Sequence, residues 1–408
     1  MSMSIGWKPL TEYPYGIQEA AVTYVGNKII AIGGFCSGIL DPKLPWLREL
    51  YLKKKNKYPR GFKNNVYMYD LDNIERKWEE LPNFPGIGRQ GHRTVAINNT
   101  IYVWGGFSYV PQTITPETLD QTKWSKKRNM RTYHDGYKLE LKQDGSFQWS
   151  KLPDLPDPIS GFIMSTFQNY IYICTGSSIL SEGNSQPIVE INSISIGNIL
   201  YRINTHDLDK GWEKISEFPG TLRMNASSTI YKDELYIIGG IYPEANWSYN
   251  HCKKDIERFY SVLDNWKYNF KENKWYRQPE NPYYNSNFCS HQYNTFKNYL
   301  VLIGGAYFSK SIVNGKKIKS ENKYTFKNNN NRYFLDTIIL FNLETNKFEE
   351  MSDNLKLFAK INGTNYAIKD DKIYMLGGEA TSFKYNNIIY GSHLDLFMEG
   401  TITMKIDT

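Results

Sequence analysis

The chain has 408 residues, 40% hydrophobic and 15% aromatic, with 32 Tyr and 10 Trp; this is the make-up of a folded, strand-rich protein and excludes a disordered one. Lys and Arg outnumber Asp and Glu by 49 to 42, a mild basic excess with no stripe or arm of charge suited to a duplex, so an acidic oligo- or polysaccharide is the expected partner and nucleic acid is not. There is no apolar stretch of ~18 residues and no h-region behind MSMSIGWKPL, and Cys36, Cys174, Cys252 and Cys289 form no CxxC pair, which predicts no membrane partner, no metal, no cofactor and free, mostly buried thiols, in a protein either cytoplasmic or secreted with its leader removed.

In chain order, the first predicted element is a strand around Trp7. An alternating apolar run ending in a glycine pair follows, IIAIGG at Ile29 to Gly34, and it recurs as IYVWGG ending at Gly106, LYIIGG at Gly240, LVLIGG at Gly305 and IYMLGG at Gly378, with a degenerate copy, IYICTG, ending at Gly176. After each comes a loop of variable length and another alternating strand, such as NNVYMYD, DGYKLEL or TIILFNL, then a polar turn into an aromatic strand such as ENKWYRQP or TNKFEEMS. Trp7, Trp78, Trp149, Trp212, Trp275 and Phe348 stand about 26 to 29 residues before the six glycine sites. Each unit is thus predicted to be four short antiparallel strands. Such a unit cannot bury both faces alone, and radial stacking of the sheets covers them.

This pattern resembles the kelch family, whose hallmarks are a glycine pair after the second strand and a Trp in the fourth, and the resemblance runs over nearly the whole chain. It implies an all-β fold, a six-bladed kelch-type β-propeller in one domain spanning 1–408, with blades at about 17–84, 90–156, 160–219, 223–282, 289–352 and 360–408 plus 5–12. Because the last unit ends in HLDLFMEGTITMKID with no aromatic strand of its own, the strand around Trp7 is expected to close the sixth blade.

The long insertions, 35–62, 107–132, 177–197, 241–260 and 306–332, all follow glycine pairs and so emerge on one face, the expected working face. The axial opening there is expected to be lined by the starts of the innermost strands: Gln18, Glu19, Arg89, His92, Arg93, Ser160, Arg223, Asn225, His291, Gln292, Lys360 and Asn362. Such residues either line a water-filled shaft or form a pocket for a polyhydroxylated, carboxylated ligand. In the second reading Arg89, Arg93 and Arg223 hold the carboxylate, with Asn225, Gln292, Lys360 and Asn362 completing the substrate site, while His92, His291, Tyr133 and His134 are the acid/base candidates. Asp135 is read as a strand-entry hydrogen-bonding residue rather than a catalyst.

The segments RQGHRTVAINNTIYVWGGFSY, SVLDNWKYNFKENKW and YGSHLDLFMEG are similar to those of kelch-type proteins grouped with galactose-oxidase-like and glycan-lyase propellers. That likeness implies a carbohydrate-active enzyme, first a polysaccharide lyase cleaving a uronate-containing glycan by β-elimination. Blade count and length resemble instead the sialate epimerases, which makes a sugar epimerase or mutarotase the alternative. A non-enzymatic kelch module binding protein or glycan is a third.

Overall fold

A computed structural model describes residues 2–36, 61–73, 75–110, 129–179, 194–243, 259–283, 285–286, 294–320, 332–349, 355, 357, 361, 363, 365–385 and 388–405. These residues are all-β and nearly devoid of helix. Six sheets among them share one plan, four antiparallel strands taken up in order. Sheet 1 is Ala21–Val25, Lys28–Ile32, Val66–Asp70 and Trp78–Leu81. Sheet 2 is Arg93–Ile97, Thr100–Trp104, Gly136–Leu141 and Phe147–Leu152. Sheet 3 is Ile163–Phe167, Tyr170–Cys174, Ile199–Asn204 and Glu213–Glu217. Sheet 4 is Ser227–Tyr231, Glu234–Ile238, Asn265–Asn269 and Lys274–Gln278. Sheet 5 is Thr295–Phe296, Tyr299–Ile303, Ile338–Asn342 and Lys347–Glu349. Sheet 6 takes Asn365–Lys369, Lys372–Leu376 and Phe397–Lys405 from the end of the chain, and its outer strand, Ser2–Pro9, from the beginning. Trp7 pairs with Gly400 there.

The second strand of each sheet is buried on both faces, which is why it reads as a continuous apolar run rather than an alternation. Six clusters of buried residues each join two sheets adjacent in order: Ile30 and Ile32 of sheet 1 meet Ile101 and Val103 of sheet 2, for example, and Ala367 and Leu376 of sheet 6 meet Val22 and Ala31 of sheet 1. The fourth-strand tryptophans wedge between neighbours and tie them together. Trp78 Nε1 donates to the Thr11 carbonyl (3.1 Å), Trp149 Nε1 to Pro82 (2.8 Å) and Trp275 Nε1 to Ser216 Oγ (3.1 Å), in each case onto the preceding strand assembly. Cys36 and Cys174 are free and buried, as expected, while Cys252 and Cys289 lie outside the described residues.

The glycine pair has a specific task. Its second member donates its N–H to the next sheet, Gly34 to the Arg89 carbonyl, Gly106 to Ile159, Gly176 to Arg223, Gly305 to Ile361 and Gly378 to Ile17, at 2.8–2.9 Å. Gly106 does so at φ 94°, and a Cβ on it would lie 2.8 Å from the Gln90 carbonyl oxygen, so neither the conformation nor the space admits a side chain. Directly after each pair the chain departs into a hairpin: Phe35–Cys36 with Gly61–Phe62, Phe107–Val110 with Asn129–Thr132, Ser177–Ile179 with Ile194–Ile196, Ile241–Pro243 with Phe259–Val262, Ala306–Phe308 with Arg332–Phe334, and Glu379–Tyr385 with Ile388–His393. The five long loops read from the sequence therefore begin and end as ladders, and sheet 6 adds a sixth that the sequence reading did not count.

Candidate functional site

Among the described residues, the approaches to the innermost strands of sheets 1, 2, 3, 4 and 6 repeat one turn. Its residues are Ile17-Gln18-Glu19-Ala20 in sheet 1, Arg89-Gln90-Gly91-His92 in sheet 2, Ile159-Ser160-Gly161-Phe162 in sheet 3 and Arg223-Met224-Asn225-Ala226 in sheet 4, and Ile361 and Gly363 hold the same places in sheet 6. The second residue exchanges backbone hydrogen bonds with the residue after the glycine pair, Gln18 with Phe35, Gln90 with Phe107, Ser160 with Ser177 and Met224 with Ile241. The third always has positive φ: 52° at Glu19, 68° at Gly91, 61° at Gly161, 53° at Asn225 and 64° at Gly363. These third residues are linked from sheet to sheet, Glu19 N–H to the Gly363 carbonyl (3.2 Å), Gly161 to Gly91 (2.9 Å) and Asn225 to Gly161 (2.6 Å), forming a floor. Above it stand the residues that follow the glycine pairs. Phe107 lies so close that a Cβ on Gly91 would be 3.2 Å from its ring.

Glycine and asparagine are the residues that tolerate this conformation, and a long side chain there costs roughly 1–2 kcal/mol. Among the described floor residues Glu19 is the exception. Burial pushes its carboxyl above the usual range; Arg93 beside it offsets part of that, Glu379 adds to it, and a hydrogen bond from Gln90 again offsets part. Arg93 is fixed from three sides, Nε donating to the Phe162 carbonyl (2.9 Å), one terminal nitrogen to the His92 carbonyl (3.1 Å) and the other to Asn225 Oδ1 (2.8 Å). Two expected site residues, Arg93 and Asn225, are thus brought together, and Arg93 in turn acts on Glu19, which the sequence places at the opening without a role.

Five expected site residues make contacts within the fold. Arg89 is fully buried, and its guanidinium grips Asp135 with both terminal nitrogens while donating to the carbonyls of Ile87 and Gly105 (2.8 and 3.0 Å). Arg223 repeats this in sheet 4 with Asp264, at 2.6 Å and with both side chains fully buried, and also donates to the carbonyls of Thr221, Gly239 and Asp264. Both arginines hold a carboxylate, but it is the protein's own, supplied by the entry to the third strand. His92 is buried between sheets 1 and 2, its Nε2–H donating to the Ile32 carbonyl (3.0 Å) and its ring stacked 6.3 Å from Phe84. Tyr133 is buried beneath Arg89, ring centre 4.0 Å from the guanidinium carbon, with its hydroxyl 2.6 Å from Ser108. His134 is exposed but turned toward Asp154, which follows the outer strand of sheet 2, at 3.4 Å. The entry role read for Asp135 matches its contacts. His291, Gln292, Lys360 and Asn362 lie outside the described residues.

Burial pushes the Asp264 carboxyl up, yet the Arg223 charge and hydrogen bonds from Thr221 and Trp266 outweigh burial and leave it at about 2. It also accepts the Asn314 N–H at 3.2 Å, from a hairpin belonging to sheet 5.

Repeat, fold and comparisons agree on the class: the chain resembles the kelch-type β-propeller proteins, the sialate epimerases among them. It is 24% identical over 239 residues to N-acetylneuraminate epimerase 1 of Escherichia coli O6:H1, covering 56% of each chain. It is 28% identical over 210 residues to the Kelch repeat and BTB domain-containing protein 2 of Ectromelia virus, covering 50% of this chain and 31% of that one, and 26% identical over 117 residues to the N-acetylneuraminate epimerase of Salmonella arizonae, covering 28% and 26%. The matches thus span between a quarter and just over half of these relatives' lengths. In three dimensions it is similar to the protein titled "Structure of YjhT", with a TM-score of 0.57 and 15% identity over 94% of this chain and 96% of that one, a likeness of fold. No family model matches the chain.

Proposed function

We propose that the six sheets are the blades of one closed kelch propeller, completed by the strand Ser2–Pro9, and that its axial opening binds an acidic monosaccharide of the sialate type and exchanges its anomers. The six inter-sheet clusters support the ring, since sheet 6 packs back on sheet 1. The epimerase names among the relatives support the substrate class, and they favour this alternative over the polysaccharide lyase expected first, which finds no support in them.

The observation that carries the chemistry is Glu19: a half-buried carboxyl in a conformation that glutamate avoids, its proton affinity raised by burial, beside a fixed Arg93. Anomer exchange needs one proton taken from the anomeric hydroxyl and one given to the ring oxygen as the bond between that oxygen and the anomeric carbon breaks. The open-chain carbonyl form then turns and closes on its other face, with no net change in protons or electrons. A carboxyl of raised proton affinity performs both transfers, its O–H giving the proton to the ring oxygen and its other oxygen accepting the one from the anomeric hydroxyl. In this reading Arg93 attracts the substrate carboxylate, and Asn225, hydrogen-bonded to it, keeps its guanidinium in place.

A thermal-shift series discriminates the readings. Sialate-type acids are expected to raise the melting temperature, with neutral sugars leaving it unchanged. Uronate polymers are expected to yield no unsaturated-uronate absorbance. Release of that chromophore, or stabilisation by neutral and acidic sugars alike, overturns the assignment.

A further inference from the structure

Two layers of residues stand at the axial opening: the floor formed by the third turn residues and, above it, the residues that follow the glycine pairs. In sheets 1 to 5 the upper layer is Phe35, Phe107, Ser177, Ile241 and Ala306, none of them charged. Sheet 6 places Glu379 there, directly after Gly377 and Gly378 and only 7% exposed. Among the described residues each layer thus carries one acid, Glu19 below and Glu379 above. They come from sheets 1 and 6, which pack on one another.

Backbone bonds fix the two acids relative to each other. The Gly378 N–H donates to the Ile17 carbonyl (2.8 Å), the Ile17 N–H to Leu394 (3.0 Å) and the Leu394 N–H back to Gly378 (2.9 Å). Glu379 therefore follows a residue bonded to Ile17, two places before Glu19. The approach is close: a Cβ on Gly377 would lie 2.3 Å from the Ile17 carbonyl oxygen. Across the hairpin Glu379 stands opposite His393, whose Nδ1–H donates to the Phe35 carbonyl (3.0 Å) and whose ring meets that of Phe35 edge-on at 5.6 Å. Phe35 in turn exchanges backbone hydrogen bonds with Gln18, next to Glu19, so the rung of Glu379 and His393 is fastened to the turn that holds Glu19. The closeness is felt electrostatically: burial raises the proton affinity of Glu19, Arg93 lowers it, and the charge of Glu379 raises it again.

We propose that Glu379 is the second carboxyl of the axial site and that it and Glu19 act as a pair sharing one proton. Neighbouring carboxyls resist ionising together, so one member keeps a proton while the other accepts one. Resting on the anomer-exchange reading above, the ionised member takes the proton of the anomeric hydroxyl, and the protonated member gives its own to the ring oxygen as the bond from that oxygen to the anomeric carbon breaks. The open-chain carbonyl forms, and the pair still holds one proton with its members exchanged. Closure on the other face runs the same transfers in reverse. A lone carboxyl has to pass both protons through one group, whereas a pair divides them between two levels of the opening.

Carbon-13 NMR of the full chain labelled at the glutamate δ-carboxyls tests the pair without turnover, the Glu19 signal being the one lost in Glu19→Gln. In the unmodified chain Glu19 and Glu379 are expected to titrate in two steps more than about one pH unit apart. Glu379→Gln is expected to lower the Glu19 midpoint by about half a unit or more, and Glu379→Asp, which keeps the charge, to restore most of it. With N-acetylneuraminate as substrate, Glu379→Gln is expected to lower kcat for anomer exchange about 10-fold or more while KM changes less than about 2-fold. Should Glu379→Gln unfold early, the titration of the unmodified chain decides by itself, independent single steps overturning the pair. A Glu19 midpoint unmoved by Glu379→Gln, or exchange by that variant as fast as by the unmodified chain, also overturns it. Coupled titration in a chain that exchanges no anomers overturns the anomer-exchange reading and leaves the pair standing, whereas exchange with uncoupled titration does the reverse.

Discussion

The starts of sheets 2 and 4 and the start of sheet 1 use the same turn for opposite ends. In sheets 2 and 4 a charge sits at its first position, Arg89 or Arg223, and meets an acid 46 or 41 residues away in the sequence, with carbonyls for the remaining donors. In sheet 1 that position is the buried Ile17, and the charge appears two residues later, at Glu19, where the backbone is unsuited to it and a second acid, Glu379, lies near. The lesson is that identity and location of a charged residue do not reveal its task. A charge neutralised by an opposite charge of the fold marks scaffold, as in Arg89 and Arg223, whereas an unfavourable conformation together with a displaced proton affinity is the ground on which Glu19 is proposed as a site.

The greatest effect is expected from the strand that unites the chain's ends. Deleting residues 2–9 leaves the edge of Phe397–Lys405 unpaired and strips Met3 and Ile5 from their cluster, and is expected to abolish a single cooperative melt in calorimetry. Next, Arg223→Ala leaves Asp264 as an uncompensated buried charge and is expected to cost about 3–5 kcal/mol in denaturant unfolding. Arg89→Ala should cost less, because Asp135 is 21% exposed and can be hydrated.

The same scaffold pair sets a pH signature. Asp264 is held at about 2 against an ordinary 3.8, so its contribution is fully present above 3.8 and is lost as pH falls toward 2. The melting temperature is expected to drop through that window, and Asp264→Asn to flatten the drop. Glu19 acts in the other direction: its raised affinity favours the folded state fully below its ordinary 4.5, and that advantage disappears as pH rises through the raised value. The smallest effect is expected from Glu19→Gly, which relieves the left-handed backbone and should raise stability by about 1 kcal/mol in chemical denaturation. A loss of stability there would place Glu19 among the scaffold residues.

Much of the scaffold was legible in the sequence because its signals are local and repeated. Glycine pairs, aromatic strands and the missing last strand each follow from a short segment, and Trp7 pairs where the unmatched aromatic implied. The site was less legible because it depends on distant partners. Nothing around Arg89 announces that Asp135 fills its fork, and the imidazole of His92 reads the same whether it faces solvent or the Ile32 carbonyl. The useful signal was available in register. Aligning the turns puts glutamate where the other described sheets have glycine or asparagine, and that contrast, more than the cluster of basic residues in GRQGHR, pointed to the opening.

Glu19 is the proposed proton-transferring group of the axial opening, and anomer exchange followed by proton NMR tests that assignment directly. With N-acetylneuraminate as substrate, the unmodified chain is expected to accelerate equilibration of its anomers, and Glu19→Gln to slow that catalysis at least 100-fold with its melting temperature unchanged or raised. Equal rates for the two proteins, or no acceleration by either, would contradict it.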